Sequence, residues 1–109
     1  MPDDAQPIEL PLLLDAARQA NGLLRALANE NRLLLMCQLS QGERSVGELE
    51  ALLGIRQPTL SQQLGILREE KLVTTRRAGK QIFYRVSNED ALQVLQTLYR
   101  LYCPVPKKL

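Results

Sequence analysis

Cys37 and Cys103 are the only two thiols in a chain of 109 residues that contains no histidine. They stand 66 positions apart, so they do not form the CxxC pair of a thiol–disulfide oxidoreductase. Without histidine there is no Cys–His constellation to activate a nucleophile, which speaks against an enzyme such as a thiol peroxidase. A zinc-type site wants about four ligands drawn from Cys, His and carboxylates, and two thiols in one chain fall short of that without acidic help. A dimer pooling its thiolates for a soft ion stays open. So do two other readings. Free Cys is commonly a small buried hydrophobe, and Cys37 lies on the apolar side of a helical stretch. Joining the two thiols would instead tie that helix to the last one. Cys103 follows Tyr102 and precedes Pro104 near the chain end, where nothing requires a core residue, and Arg100, a basic group of the kind beside which thiolates react fastest, lies one turn before it.

A second set of residues points to phosphates and bases. Residues 1–55 hold four Arg against eight acids, a balance of −4. Residues 56–85 hold five Arg and two Lys against Glu69 and Glu70, a balance of +5, and residues 86–109 add +1. A local basic excess of this kind is the electrostatic footprint of a DNA backbone. Within it, Gln57, Thr59, Ser61, Gln62 and Gln63 gather on one helical stretch. Gln pairs bidentately with adenine, and Ser and Thr bond bases or phosphates. Arg76, Arg77, Lys80 and Gln81 follow at the tip of a strand-like pair, suited to the backbone or the minor groove. The bland alternative is a helical hairpin and a β-ribbon that pack together and turn polar faces to water.

The elements that must position these groups are readable from spacing. Pro2, Pro7 and Pro11 predict a frayed segment over residues 1–11. Leu13, Ala16, Ala17, Ala20, Leu24 and Leu27 recur at helical spacing and predict a helix over 12–28. Asn29 caps a second helix over 30–39, with Gly42 placed to end it. Ser45 and Glu48 form a capping box for a third helix ending at Leu53, and Gly54 supplies a tight turn. A fourth helix starts near Pro58 and runs to about Glu70, with Leu60, Leu64 and Leu67 as its buried stripe. Val73–Arg76 and Ile82–Val86 read as strands around an Arg77–Lys80 turn. Ser87 is the expected cap of a last helix ending at Pro104. The expected fold is mainly α with a β-hairpin wing, ordered α-α-α-α-β-β-α, in one domain over 1–109. In a helix-turn-helix the second helix enters the major groove, which assigns that role to the helix carrying the Gln/Ser/Thr set.

Hydrophobic residues make up 45% of the chain but aromatics only 4%, a Leu-dominated mix that favours helices. A chain this short buries only about two-thirds of its unfolded surface, so pairing with a second copy would help it. No apolar run approaches the ~18 residues of a membrane span, and the acidic start MPDDAQPIEL is unlike a signal peptide. A cytoplasmic chain with no membrane partner is the expectation.

The combination of Ala26-Leu27-Ala28-Asn29-Glu30-Asn31-Arg32, Val46-Gly47-Glu48-Leu49, Leu60 to Arg68 and Leu72-Val73 resembles the winged-helix repressors of the ArsR/SmtB family over about residues 12–103. The resemblance implies a bacterial homodimer built through the first and last helices, bound to a near-palindromic duplex operator. Two positions depart from the family pattern: Arg56, often Ser, and Gln63, often His. Family members that sense metals carry Cys-Val-Cys where this chain has Ser45-Val46-Gly47, and others use Asp and His on the last helix. No metal, cofactor or enzymatic activity is therefore expected. Leu35-Met36-Cys37 and Leu98 to Cys103 resemble the BigR/HlyU/SqrR branch. That resemblance makes Cys37 and Cys103 a sensing dithiol, bridged by persulfide, polysulfide or another oxidant with release of DNA. The rival expectations are a metal-responsive repressor and an inducer-independent activator or anti-silencer.

Overall fold

The computed structural model describes residues 7–103. Among these residues the elements are α1 (Leu10–Leu27), α2 (Glu30–Leu39), β1 (Arg44–Ser45), α3 (Val46–Leu53), α4 (Gln57–Glu69), β2 (Val73–Ala78), β3 (Gln81–Val86) and α5 (Glu89–Tyr102). The expected order is present, with one short strand added before the third helix. Part of the expected frayed start is helical, because Pro11 sits in the first turn of α1, where its missing N–H loses nothing. Residues 1–6 and the expected stop at Pro104 lie outside the described range.

Local chemistry explains most boundaries. The Asn29 side chain accepts from the Arg32 N–H at 3.0 Å and starts α2. Ser45 and Glu48 close a reciprocal capping box, with Glu48 N–H to Ser45 Oγ at 3.1 Å and Ser45 N–H to Glu48 Oε1 at 2.8 Å. Gly54 ends α3 at φ +68°, a conformation that favours glycine. One boundary corrects the sequence reading: Asn88, not Ser87, caps α5, accepting from the Ala91 N–H at 2.9 Å. The Ser87 N–H is instead used by the Leu72 carbonyl at 3.0 Å.

The hairpin is also tighter than its sequence suggests. Arg77 pairs with Ile82 and Ala78 with Gln81, so both belong to β2, and only Gly79 and Lys80 form the turn. The sheet is antiparallel in the order β1-β3-β2, with Arg44 opposite Tyr84 and Ser45 opposite Phe83. The core is one cluster drawn from every helix: Leu27, Leu35, Met36, Leu49, Leu60, Leu64, Leu67 and Leu95, joined by Leu72 and Val73 under the wing. Within the single chain α1 buries only Ala26 and Leu27. Leu10, Leu12, Leu13, Leu14 and Leu24 stay exposed, as do Tyr99, Leu101 and Tyr102 of α5. Apolar exposure of that extent on two helices marks an association surface. Among the described residues, no helix is long and apolar enough to cross a membrane.

Candidate nucleic-acid interface and dithiol cleft

Burial of Leu60, Leu64 and Leu67 fixes which side of α4 faces outward. Gln57, Ser61 and Gln62 are exposed, while Thr59 and Gln63 are half-buried. Ser61 Oγ donates to Gln57 Oε1 at 3.2 Å, one turn apart on the open face. Gln63 is engaged internally: its Oε1 accepts from Arg32 Nη1 at 2.8 Å. Arg32 also donates to the carbonyls of Ala26 and Arg25, closing the end of α1. Nothing local in the sequence marks this tie, which spans 31 positions.

The wing residues divide in the same way. Arg77, Lys80 and Gln81 are exposed at or beside the turn. Arg76 stands deeper in β2, opposite Phe83. Its Nη2 is 2.8 Å from Glu43 Oε1, its Nε donates to the same carboxylate at 2.9 Å, and its guanidinium carbon is 4.6 Å from the Phe83 ring centroid. Glu43, placed by the turn before β1, was not legible as a wing residue.

Cys37 and Cys103 both line a cleft of about 530 Å³ between α2 and α5. Cys37 is half-buried on α2 against the core. Cys103 caps the C-terminus of α5, its N–H bonded to the Tyr99 carbonyl at 3.0 Å. Both are free thiols. Burial pushes the Cys37 thiol above its ordinary pKa, and the charge of Cys103 pushes it further the same way. Arg100 lines the same cleft, together with Gln38, Gln41 and Gln96, none of which the sequence singled out except Arg100. Among the described residues, no group of three or more His, Cys, Asp or Glu is placed to hold a metal ion.

The helix-turn-helix over α3 and α4, followed by a β2–β3 wing, defines a winged-helix DNA-binding domain. Residues 29–75 match the family described as "Bacterial regulatory protein, arsR family". The chain is 51% identical over 108 residues to the "Biofilm growth-associated repressor" of Agrobacterium fabrum, covering 99% of this chain and 92% of that one. It is 40% identical over 97 residues to the "Transcriptional activator HlyU" of Vibrio cholerae, covering 89% and 90%. A structure of reduced HlyU from that organism superposes with a TM-score of 0.84 at 40% identity, over 87% of this chain and all of that one. A homodimeric winged helix-turn-helix DNA-binding domain of a possible ArsR-family regulator from Mycobacterium bovis gives a TM-score of 0.70 at 32% identity, over 90% and 88%. The chain belongs to the ArsR family and is a transcriptional regulator, not an enzyme.

Proposed function

We propose that this regulator is a homodimeric repressor that binds a near-palindromic DNA operator while Cys37 and Cys103 are reduced, and releases it when they are bridged. Gln57, Thr59, Ser61, Gln62 and Gln63 of α4 form the groove-facing set, and Arg76, Arg77, Lys80 and Gln81 form the wing set. The exposed Leu-rich face of α1 and the apolar end of α5 make the dimer surface. The observation that carries the reading is the cleft that brings Cys37 and Cys103 together from elements far apart in sequence. A disulfide formed in a compartment kept reducing is transient and regulatory rather than structural. A bridge there would fix the distance between α2, which holds α4 through Arg32, and α5, which carries the dimer. Two dimer geometries with different spacing of their α4 helices must differ in DNA affinity.

The test is operator binding by the reduced dimer, followed by fluorescence anisotropy, before and after treatment with polysulfide. Release on treatment is expected, together with a new intramolecular bridge seen by mass spectrometry. The Cys103→Ser variant should bind DNA and stay bound. If that variant still released DNA on treatment, the dithiol would not be the sensor.

One observation favours a second reading, that of an activator that displaces a silencing protein without an inducer: a relative of similar length is named an activator. Footprinting against a competing silencer separates the two, since only a displacer would clear the competitor in both redox states.

A further inference from the structure

The chain holds 14 basic and 12 acidic residues, yet among the described residues only one ion pair forms, and it lies on the wing. It joins Glu43, in the turn before β1, to Arg76 of β2, and so reaches across β3, which lies between those strands. The contact is two-pronged: Arg76 Nη2 is 2.8 Å from Glu43 Oε1, and Nε donates to both oxygens at 2.9 Å. The Phe83 ring packs under the guanidinium, 4.6 Å from its carbon. Side chains alternate along a ribbon, so Arg76 shares its face with Gln81 and Arg85, while Arg77 lies on the other. The Arg76–Phe83 pair stands two rungs behind Ala78–Gln81, which closes the turn, a distance of about 7 Å. That is inside the ~10 Å over which charges act at 0.1 M salt. A duplex held at the wing tip would therefore feel both members of the pair. The Arg76 side chain is 55% exposed and open to approach, but Glu43 is only 27% exposed. Drawing the guanidinium away to a phosphate would leave a partly covered carboxylate unpaired beside DNA, which opposes the exchange.

We infer that Glu43 masks Arg76 and so holds back one sequence-independent phosphate contact on the wing. The inference rests on the reading of the wing as a DNA contact and adds a residue that limits it. Glu43 is a positioning residue: it touches Arg76 and not the DNA. Its charge offsets that of Arg76, so the pair releases few counterions when the wing docks. Phosphate contacts position the protein but carry no sequence information. The mask therefore lowers affinity for every duplex alike and leaves the choice of operator to α4. Non-specific binding is supplied almost entirely by such contacts, so one fewer weakens the hold of the protein on DNA outside its operator.

The test uses the reduced full-length protein and a fluorescein-labelled duplex of mixed sequence, with affinity read by anisotropy from about 50 to 200 mM salt. Glu43→Gln keeps an oxygen for Arg76 and removes the charge. Its plot of log K against log salt should be steeper than the native one by about one. Its gain in affinity should then grow about fourfold from 200 to 50 mM salt. In the Arg76→Ala background the same substitution should leave the slope unchanged. A Glu43→Gln slope equal to the native one would overturn the mask. So would a full gain that survives in the Arg76→Ala background, since Glu43 would then act by its own repulsion of the duplex. Arg77→Ala separates failure of the mask from failure of the wing reading. If Arg77→Ala flattens the slope while Glu43→Gln does nothing, the mask alone falls. If neither variant moves the slope, the wing does not contact DNA, and both readings fall together.

Discussion

Arg32 joins three helices through one side chain: Nη1 donates to Gln63 Oε1 of α4 at 2.8 Å, Nη2 donates to the Arg25 carbonyl of α1 at 3.1 Å, and its own backbone N–H is held by Asn29. The reading helix is thereby tied to the end of the helix assigned to the dimer surface. The tie also changes what Gln63 can offer DNA. With one lone pair of its oxygen engaged by Arg32, Gln63 is held in one orientation, and bidentate pairing with adenine needs both its oxygen and its amide N–H aligned on the base.

Replacing Arg32 with Met keeps the stem and removes the guanidinium. It leaves two helix-end carbonyls and the Gln63 oxygen to find other partners. A loss of about 1–3 kcal/mol is expected from urea unfolding, the cost of half-buried polar groups left unpaired. Gln63→Ala removes one partner only, and its loss should be about 1 kcal/mol or less. Equal losses in the two variants would mean that the α1 carbonyls contribute nothing.

The same contrast shows how far the sequence could be read. The capping box at Ser45 and Glu48, the left-handed Gly54, Pro58 and the Leu60-Leu64-Leu67 stripe are local signals, and the elements they mark are where the spacing placed them. Arg32 to Gln63, Glu43 to Arg76 and the pairing of Arg44 with Tyr84 join residues more than 30 positions apart, and no local pattern encodes them. Strand β1 is two residues long, too short for any alternation. The meeting of Cys37 with Cys103 is of that kind too. Only resemblance suggested it, because α2 and α5 are far apart in sequence and α5 is placed by Ala91 and Leu95, which are buried in the common core.

The wing arginines should not contribute equally. Arg76 is paired with Glu43 and laid over Phe83, whereas Arg77, near the end of β2, and Lys80, in the turn, have no carboxylate bound among the described residues. Each phosphate contact removed lowers the slope of log K against log salt by about one. Arg77→Ala and Lys80→Ala should each show that change on any duplex. Arg76→Ala should change the slope by much less. A full unit of slope lost in Arg76→Ala would show that Arg76 leaves Glu43 when DNA binds.

Lys71 is the one described non-glycine residue with positive φ, at 64°. It sits just past α4, where the Leu72 N–H returns to the Leu67 carbonyl at 2.9 Å, the wrap of a Schellman end. A side chain in this conformation costs about 1–2 kcal/mol, part of which glycine gives back through its freer unfolded chain. Lys71→Gly should therefore stabilise the protein by about 0.5–1 kcal/mol. Unchanged or lower stability would mean that the Lys71 side chain holds a compensating contact.

Closing the sulfur bridge should be controlled by alkali at Cys37. Burial, and then the charge of Cys103, raise its pKa, so near neutrality the thiol form dominates and the attacking thiolate is scarce. Thiolate grows about tenfold per pH unit below the pKa, and exchange rates follow it. The rate at which the bridge closes after polysulfide treatment should climb with a slope near one from neutral pH through the ordinary thiol range, levelling only above it. Stability gives an independent readout with a fixed sign. A group whose folded pKa is raised holds its proton after the unfolded chain has lost it, so unfolding free energy falls as pH rises from the ordinary thiol pKa to the raised one. In Cys37→Ser that fall should be reduced and closure absent. A closure rate that levels at the ordinary thiol pKa, about 8.5, would mean that Cys37 ionises as easily as an exposed thiol, and that its setting against the core does not restrain the bridge.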